Sequence, residues 1–177
     1  MHIILLTHER ELQKKTNTGQ LVEALSGLNV TRITWKRTSP DPLLLRWIKE
    51  GNVGLLYPAK ELSDENALDD SPEACDLNLH LNPEKAALLS KYILIDSTWQ
   101  EARKIFNRSV YLRMLPRVTL IPTEVSIFTL RRNQVEGGLC TAESVIALLR
   151  MKKHNLLANK LETDFHAFIG RVVDSST

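Results

Sequence analysis

The 177-residue chain contains only two cysteines, Cys75 and Cys140, with no C-x-x-C pair and no metal-ligand spacing. This excludes a cysteine framework and suits free thiols in a reducing, cytoplasmic setting. No apolar run approaches the roughly 20 residues that cross a bilayer, so no membrane span is expected. The opening Met1-His2-Ile3-Ile4-Leu5-Leu6-Thr7-His8 lacks a basic leader and a small-residue cleavage site, and reads as a buried strand. No G-x-G-x-x-G follows a strand, which argues against a Rossmann-type dinucleotide site. Repeats, low-complexity tracts and Gly/Ser/Pro linkers are also missing, so one domain over residues 1–177 is expected.

What the chain does have is unevenly placed charge. The net charge is +2, but residues 61–84 hold eight acids and no Lys or Arg. Residues 85–160 hold thirteen Lys or Arg against five acids. A basic half suits a polyanion, whose phosphates release counterions when neutralised; a solvated surface gives the same count.

Short apolar runs alternate with helical patterns. Ile3–Thr7, Val30–Trp35 and Val53–Tyr57 read as strands, with a helical pattern at Leu21, Val22, Leu25 and Leu28 after Gly19. Ser39-Pro40-Asp41-Pro42 starts a helix through Trp47 and Ile48, and Gly51-Asn52 turns the chain. The acidic stretch containing Ser71-Pro72 reads as a long exposed loop. Tyr92-Ile93-Leu94-Ile95 has the unbroken apolar character of a parallel strand covered on both faces. Asp96 closes it, and Ser97 or Thr98 can cap a helix with Trp99, Ala102 and Phe106 on one side. Val118–Ile121 is a further strand, stopped by Pro122. Helices follow at about 141–150, capped by Thr141, and at 155–173. The expected fold is α/β: a mostly parallel sheet with flanking helices, and ligands beyond the carboxyl ends of the strands.

Three rim segments stand out: Tyr57-Pro58, Asp96-Ser97-Thr98-Trp99, and the chain from Pro122 onward. An acid at a strand end beside a helix N-terminus is well placed to meet a ligand, and equally serves as a cap. In Ser126-Ile127-Phe128-Thr129-Leu130-Arg131-Arg132, alternation puts Ser126, Phe128 and Leu130 on one face. Gly137-Gly138 allows close backbone approach, and Glu143 sits near a helix start, where the dipole favours an acid.

Taken together these residues resemble the DTW-domain family. Asp96-Ser97-Thr98-Trp99, with the following Ala-Arg-Lys, is similar to its Asp-x-Thr-Trp signature. Ser126 and Arg131 resemble its Ser-x-x-x-x-Arg segment, and Thr141-Ala142-Glu143 its Ser-Thr-x-Glu-Ala segment. Leu5-Leu6-Thr7-His8-Glu9 with Thr16-Asn17-Thr18-Gly19 is similar to its opening. The four matches keep their order over roughly residues 3–146. The sequence departs from the pattern at Gln134, where a proline is expected, and at Cys140 and Ser144, which replace Ser and Ala. The amino-terminal cysteine cluster of longer members is missing, so no metal is expected.

The resemblance implies a SPOUT-like knotted α/β fold and transfer of the 3-amino-3-carboxypropyl group of S-adenosylmethionine to N3 of a tRNA uridine, releasing 5′-methylthioadenosine. It implies catalytic roles for Asp96, Thr98 and Trp99, with Asp96 either the general base or a group that orients the uracil edge. It implies S-adenosylmethionine contacts from Tyr57, Pro58, Ser126, Arg131, Thr141 and Glu143, and RNA contacts from Arg103, Lys104, Arg108 and Arg132. A SPOUT-like RNA methyltransferase, a ribosomal RNA aminocarboxypropyltransferase and a non-catalytic RNA-binding module are the alternatives.

Overall fold

The computed structural model describes residues 1–57, 80–120, 126–128 and 138–174. Among the described residues six strands form one sheet: β1 (His2–Thr7), β2 (Asn29–Thr34), β3 (Val53–Leu56), β4 (His80–Leu81), β5 (Lys91–Asp96) and β6 (Arg117–Val118). Their spatial order is β2-β1-β5-β3-β6-β4, and every neighbouring pair is parallel. The helices are α1 (Gly19–Ala24), α2 (Pro42–Glu50), α3 (Pro83–Leu88), α4 (Trp99–Arg108), α5 (Val110–Arg113), α6 (Thr141–Met151) and α7 (Asn155–Asp174).

The unbroken apolar runs of β1 and β5 arise because helices cover both faces of the sheet. Ile3, Leu5, Tyr92 and Leu94 pack with Val22 of α1, Val145, Leu148 and Leu149 of α6, and Leu161 and Phe165 of α7. The alternate residues Ile4, Leu6 and Ile93 pack with Leu44 of α2, Ile105 and Phe106 of α4, and Leu112 of α5. Side chains alternate along a strand, so Thr7 and Asp96 continue the first of these two faces. Thr7 is in register with Asp96 on one side and Thr34 on the other, which aligns three strand ends as one rim.

The helix starts follow from local chemistry. Asp41 accepts from the backbone N–H of Leu43 at 2.8 Å and of Leu44 at 3.3 Å, with Pro42 in the first turn. Thr98 accepts from Glu101 N while the Glu101 carboxylate accepts from Thr98, a reciprocal cap for α4. Burial disfavours the charged form of Glu101, but the Thr98 hydrogen bonds and the nearby His8 and Lys14 outweigh it, so its pKa is lowered.

Several expectations need correction. Cys140, not Thr141, is the N-cap of α6. The expected strand Val118–Ile121 is Arg117–Val118, with residues 121–125 outside the described residues. Helix α1 ends at Ala24, and Leu28 packs against the core from a turn beyond it. Helices α3 and α5 were not expected, because six and four residues are too few to show a period. Residues 58–79, most of the acidic stretch among them, lie outside the described residues. No helix is long and apolar enough to cross a membrane among those described.

Leu44 is the one fully buried side chain of α2. Leu44→Ala is expected to cost about 2–5 kcal/mol, read from the midpoint of urea denaturation. A cost below about 1 kcal/mol would mean that α2 is not seated on the sheet as described.

Candidate active site

Asp96 ends β5 and is 1% exposed. Its Oδ2 accepts from Asn17 Nδ2 at 3.0 Å, Thr7 Oγ1 at 3.2 Å and Arg32 Nη1 at 3.2 Å. Its Oδ1 accepts from Thr141 Oγ1 at 2.8 Å. Four donors from β1, β2, the segment before α1 and the first residue of α6 thus close on one carboxylate. The start of α6 also brings the positive end of that helix's dipole towards it. Arg32 extends the system outward, donating from Nε to Glu23 at 2.8 Å.

Gly19 is required where it stands. A Cβ there would lie 2.7 Å from Asp96 Oδ2, 2.9 Å from Asn17 Oδ1 and 3.0 Å from Arg32 Nη2. Asn17 Oδ1 and Arg32 Nη2 are themselves buried without a hydrogen-bond partner among the described residues. Neighbouring Thr18 is buried and its Oγ1 accepts from Ala142 N at 3.3 Å, a second tie between the α1 and α6 starts.

Glu143 makes a separate clasp. Its carboxylate accepts from Ser126 Oγ at 2.7 and 2.9 Å, Ile127 N at 3.0 Å and Cys140 N at 2.8 Å. Ser126 and Glu143 therefore hold two chain segments together. Burial pushes the Cys140 thiol up to about 12, so it stays protonated and unreactive near neutral pH.

Beside these ties an open cleft lies at the carboxyl edge of the sheet. Leu56, Leu94, Ile95 and Leu139 form apolar walls, while Tyr57, Ser97, Thr141 and Ser144 bring hydroxyls and Trp99 an indole. Among the described residues lining it there is no acid and no histidine. Tyr57 stacks on Phe106 with centroids 4.3 Å apart, and Arg117 lies 4.8 Å from the same ring. Burial raises the Tyr57 pKa, against an opposing pull from Arg103 and Arg117, and the phenol remains a hydrogen-bond donor.

Of the expected residues, Tyr57, Trp99 and Thr141 line the cleft, whereas Asp96 and Glu143 lie behind it and Thr98 caps α4. Lys104 and Arg108 are exposed on α4, with Arg103 half-buried. Pro58, Arg131 and Arg132 lie outside the described residues. Sequence reasoning placed Ser97 in the rim segment as a cap and Ser144 only as a departure from the family pattern, and it missed Arg32. Arg32 has no local signal, because only the β1–β2 register brings it to Asp96. Among the described residues no cluster of His, Cys, Asp or Glu is placed to hold a metal ion.

Comparison with known proteins gives one family model, described as DTW domain, matching residues 1–173. The tRNA-uridine aminocarboxypropyltransferase 2 of Macaca fascicularis is 25% identical over 165 residues, covering 90% of this chain and 51% of that protein. The chain thus spans about half the length of that relative. No solved structure matches.

Gly19→Ala is expected to destabilise the protein by about 1–3 kcal/mol, because the added methyl has no space among pinned polar groups. Gly170→Ala, where a Cβ meets nothing within 4 Å, should be neutral or stabilising. Equal thermal denaturation of the two variants would refute the close packing around Asp96.

Proposed function

Because this chain belongs to the DTW-domain family, we propose that it transfers the 3-amino-3-carboxypropyl group of S-adenosylmethionine to N3 of a uridine in tRNA, releasing 5′-methylthioadenosine. The observation that carries the reading is that Asn17, Asp96, Ser126, Thr141 and Glu143, described residues from each of the four motif segments, meet in two hydrogen-bonded clusters beside the cleft. The tRNA-modifying relative supports the same substrate class. A SPOUT-like knotted chain path belongs to this proposal, supported by the all-parallel sheet and the meeting of distant segments at its carboxyl edge.

The cleft suits the co-substrate in kind: mostly apolar walls with a few hydroxyls are typical of sites that bury a small organic ligand. S-Adenosylmethionine supplies a carbon made electrophilic by the sulfonium. Uridine N3 loses its proton and bonds to that carbon, the carbon–sulfur bond breaks, and its electron pair stays on sulfur. The chain's own contribution is to hold and to exclude water. Leu56, Leu94, Ile95 and Leu139 form the dry walls, Tyr57 offers a neutral O–H, and Trp99 offers a stacking face worth about 1–3 kcal/mol to a base.

In this reading Asp96 is a positioning residue. Both its oxygens already accept hydrogen bonds, and it fixes Thr141 at the cleft wall. The uridine proton then passes to water, since no acid or imidazole among the described residues lines the cleft.

Incubation with S-adenosylmethionine and unmodified tRNA, followed by nucleoside mass spectrometry, should yield aminocarboxypropyluridine and an equal amount of 5′-methylthioadenosine. S-Adenosylhomocysteine as the product would mean methyl transfer instead, and an unchanged co-substrate pool a binding module. Without a protein base, the single-turnover rate should rise about tenfold per pH unit from roughly pH 5.5 to 7.5. A rate already level by about pH 5.5 would restore a carboxylate to the role of base. Asp96→Asn should lower stability by about 3 kcal/mol along with activity, because it leaves the Arg32 charge without its buried partner. Full stability with activity abolished would show that Asp96 acts on the substrate directly.

A further inference from the structure

Beyond the cleft and the basic residues of α4, a second segment contributes positive charge. Residues 24–40 carry Arg32, Lys36 and Arg37 and no acid, and residues 102–120 carry Arg103, Lys104, Arg108, Arg113 and Arg117 and no acid. These two acid-free segments meet at one point. Trp35 directly follows β2 and donates from Nε1 to Ser109 Oγ at 3.0 Å. Ser109 is buried and joins α4 to α5 as the C-cap of one and the N-cap of the other.

Trp35 is held at two further points. Its backbone N–H donates to Thr7 O at 2.9 Å, and its ring stacks on His8 with centroids 6.1 Å apart and planes 26° from parallel. The start of the loop after β2 is therefore tied to both the sheet and the α4–α5 corner. Lys36 and Arg37 are the next residues and are exposed, while Lys104 and Arg108 are exposed near the other side of the same bond. None of the four forms an ion pair with a described residue. Unpaired cations gathered on a fixed corner are the arrangement that binds a chain of phosphates, since each contact releases counterions.

We infer that Lys36 and Arg37, fixed by Trp35 against the α4–α5 corner, form with Lys104 and Arg108 a phosphate-binding surface for the RNA flanking the modified nucleotide. The inference rests on the proposed reaction with tRNA. Trp99 lines the cleft at the start of α4, and ten helical residues span about 15 Å, so the surface lies within a few nucleotides of the cleft. Its contribution is to hold substrate rather than to alter the reacting atoms, so it acts on KM and leaves kcat in place.

The test is the salt dependence of tRNA binding by the full chain, with the double variant K36A/R37A beside the wild type. Two lost phosphate contacts should reduce the slope of log affinity against log salt by about 2 and weaken binding several-fold. KM for tRNA should rise with kcat unchanged. Lys49→Ala, an exposed lysine at the opposite edge of the sheet near the start of β3, should change neither quantity. Wild-type binding with a normal salt slope that K36A/R37A does not reduce overturns the surface alone. A wild-type protein that binds no tRNA overturns the reading beneath it as well. An equal loss of slope in Lys49→Ala would show diffuse charge attraction and overturn the localised site.

Discussion

The Asp96 carboxylate is the constraint on which the rest of the site depends. Removing an ionised carboxylate from water costs several kcal/mol unless opposite charge and hydrogen bonds compensate. Here Thr7, Asn17, Arg32 and Thr141 supply four donors, one of them charged. The compensation is available only when β1, β2, β5, the segment before α1 and the start of α6 all occupy their places. A single acid thereby couples residues 7, 17, 32, 96 and 141, and an error in any one of these elements leaves a buried charge exposed to its full desolvation cost.

The coupling sets the shape of the cleft beside it. Thr141 belongs to both systems, its hydroxyl bonded to Asp96 and its surface lining the cleft. Ser97 and Trp99 follow Asp96 directly, and the Thr98–Glu101 cap fixes the direction in which they leave the strand. Glu143 secures the opposite wall, joining Ser126 and Ile127 to Cys140 just before Thr141. Thr18 then ties the α1 start to Ala142 on the same turn of α6. These side-chain bonds tie together the strand ends and helix starts that line the cleft.

The parts of this architecture legible in the sequence are those with local causes. β1 and β5 showed as apolar runs, α2 as an Asp-Pro start, and α4 as a cap followed by an amphipathic turn, all within about two residues of their observed bounds. The sheet's parallel character also followed from those runs. What escaped was whatever depends on register. Asp96 looked like a cap or a ligand contact because sequence shows its place at a strand end but not the four donors facing it. Thr141 looked like a cap for the same reason, whereas its hydroxyl turns to Asp96 and Cys140 takes the cap position. Arg32 is one of twelve arginines and carries no mark of its own. The likeness in the four motif segments was readable, but their joining through Asp96 and Glu143 was visible only once the chain was folded.

A buried aspartate holding four hydrogen bonds, beside a cleft that no acid lines among the described residues, suits the proposed reaction, whose driving force resides in the substrate. A sulfonium leaving group already makes its neighbouring carbon electrophilic, so the protein gains more from fixing distance and angle than from moving protons. Free carboxylates facing the cleft would also repel the phosphates of an incoming RNA and the carboxylate of the transferred arm. Asp96 instead faces its four donors, with the Arg32 guanidinium balancing its charge. The exposed cations of α4 and of the loop after β2 act, in the proposed reaction, on RNA at a distance from the reacting atoms. In the proposed reaction, charge that orders the site and charge that attracts the substrate are separated in space, and Trp35 is the residue that ties the second to the frame built by the first.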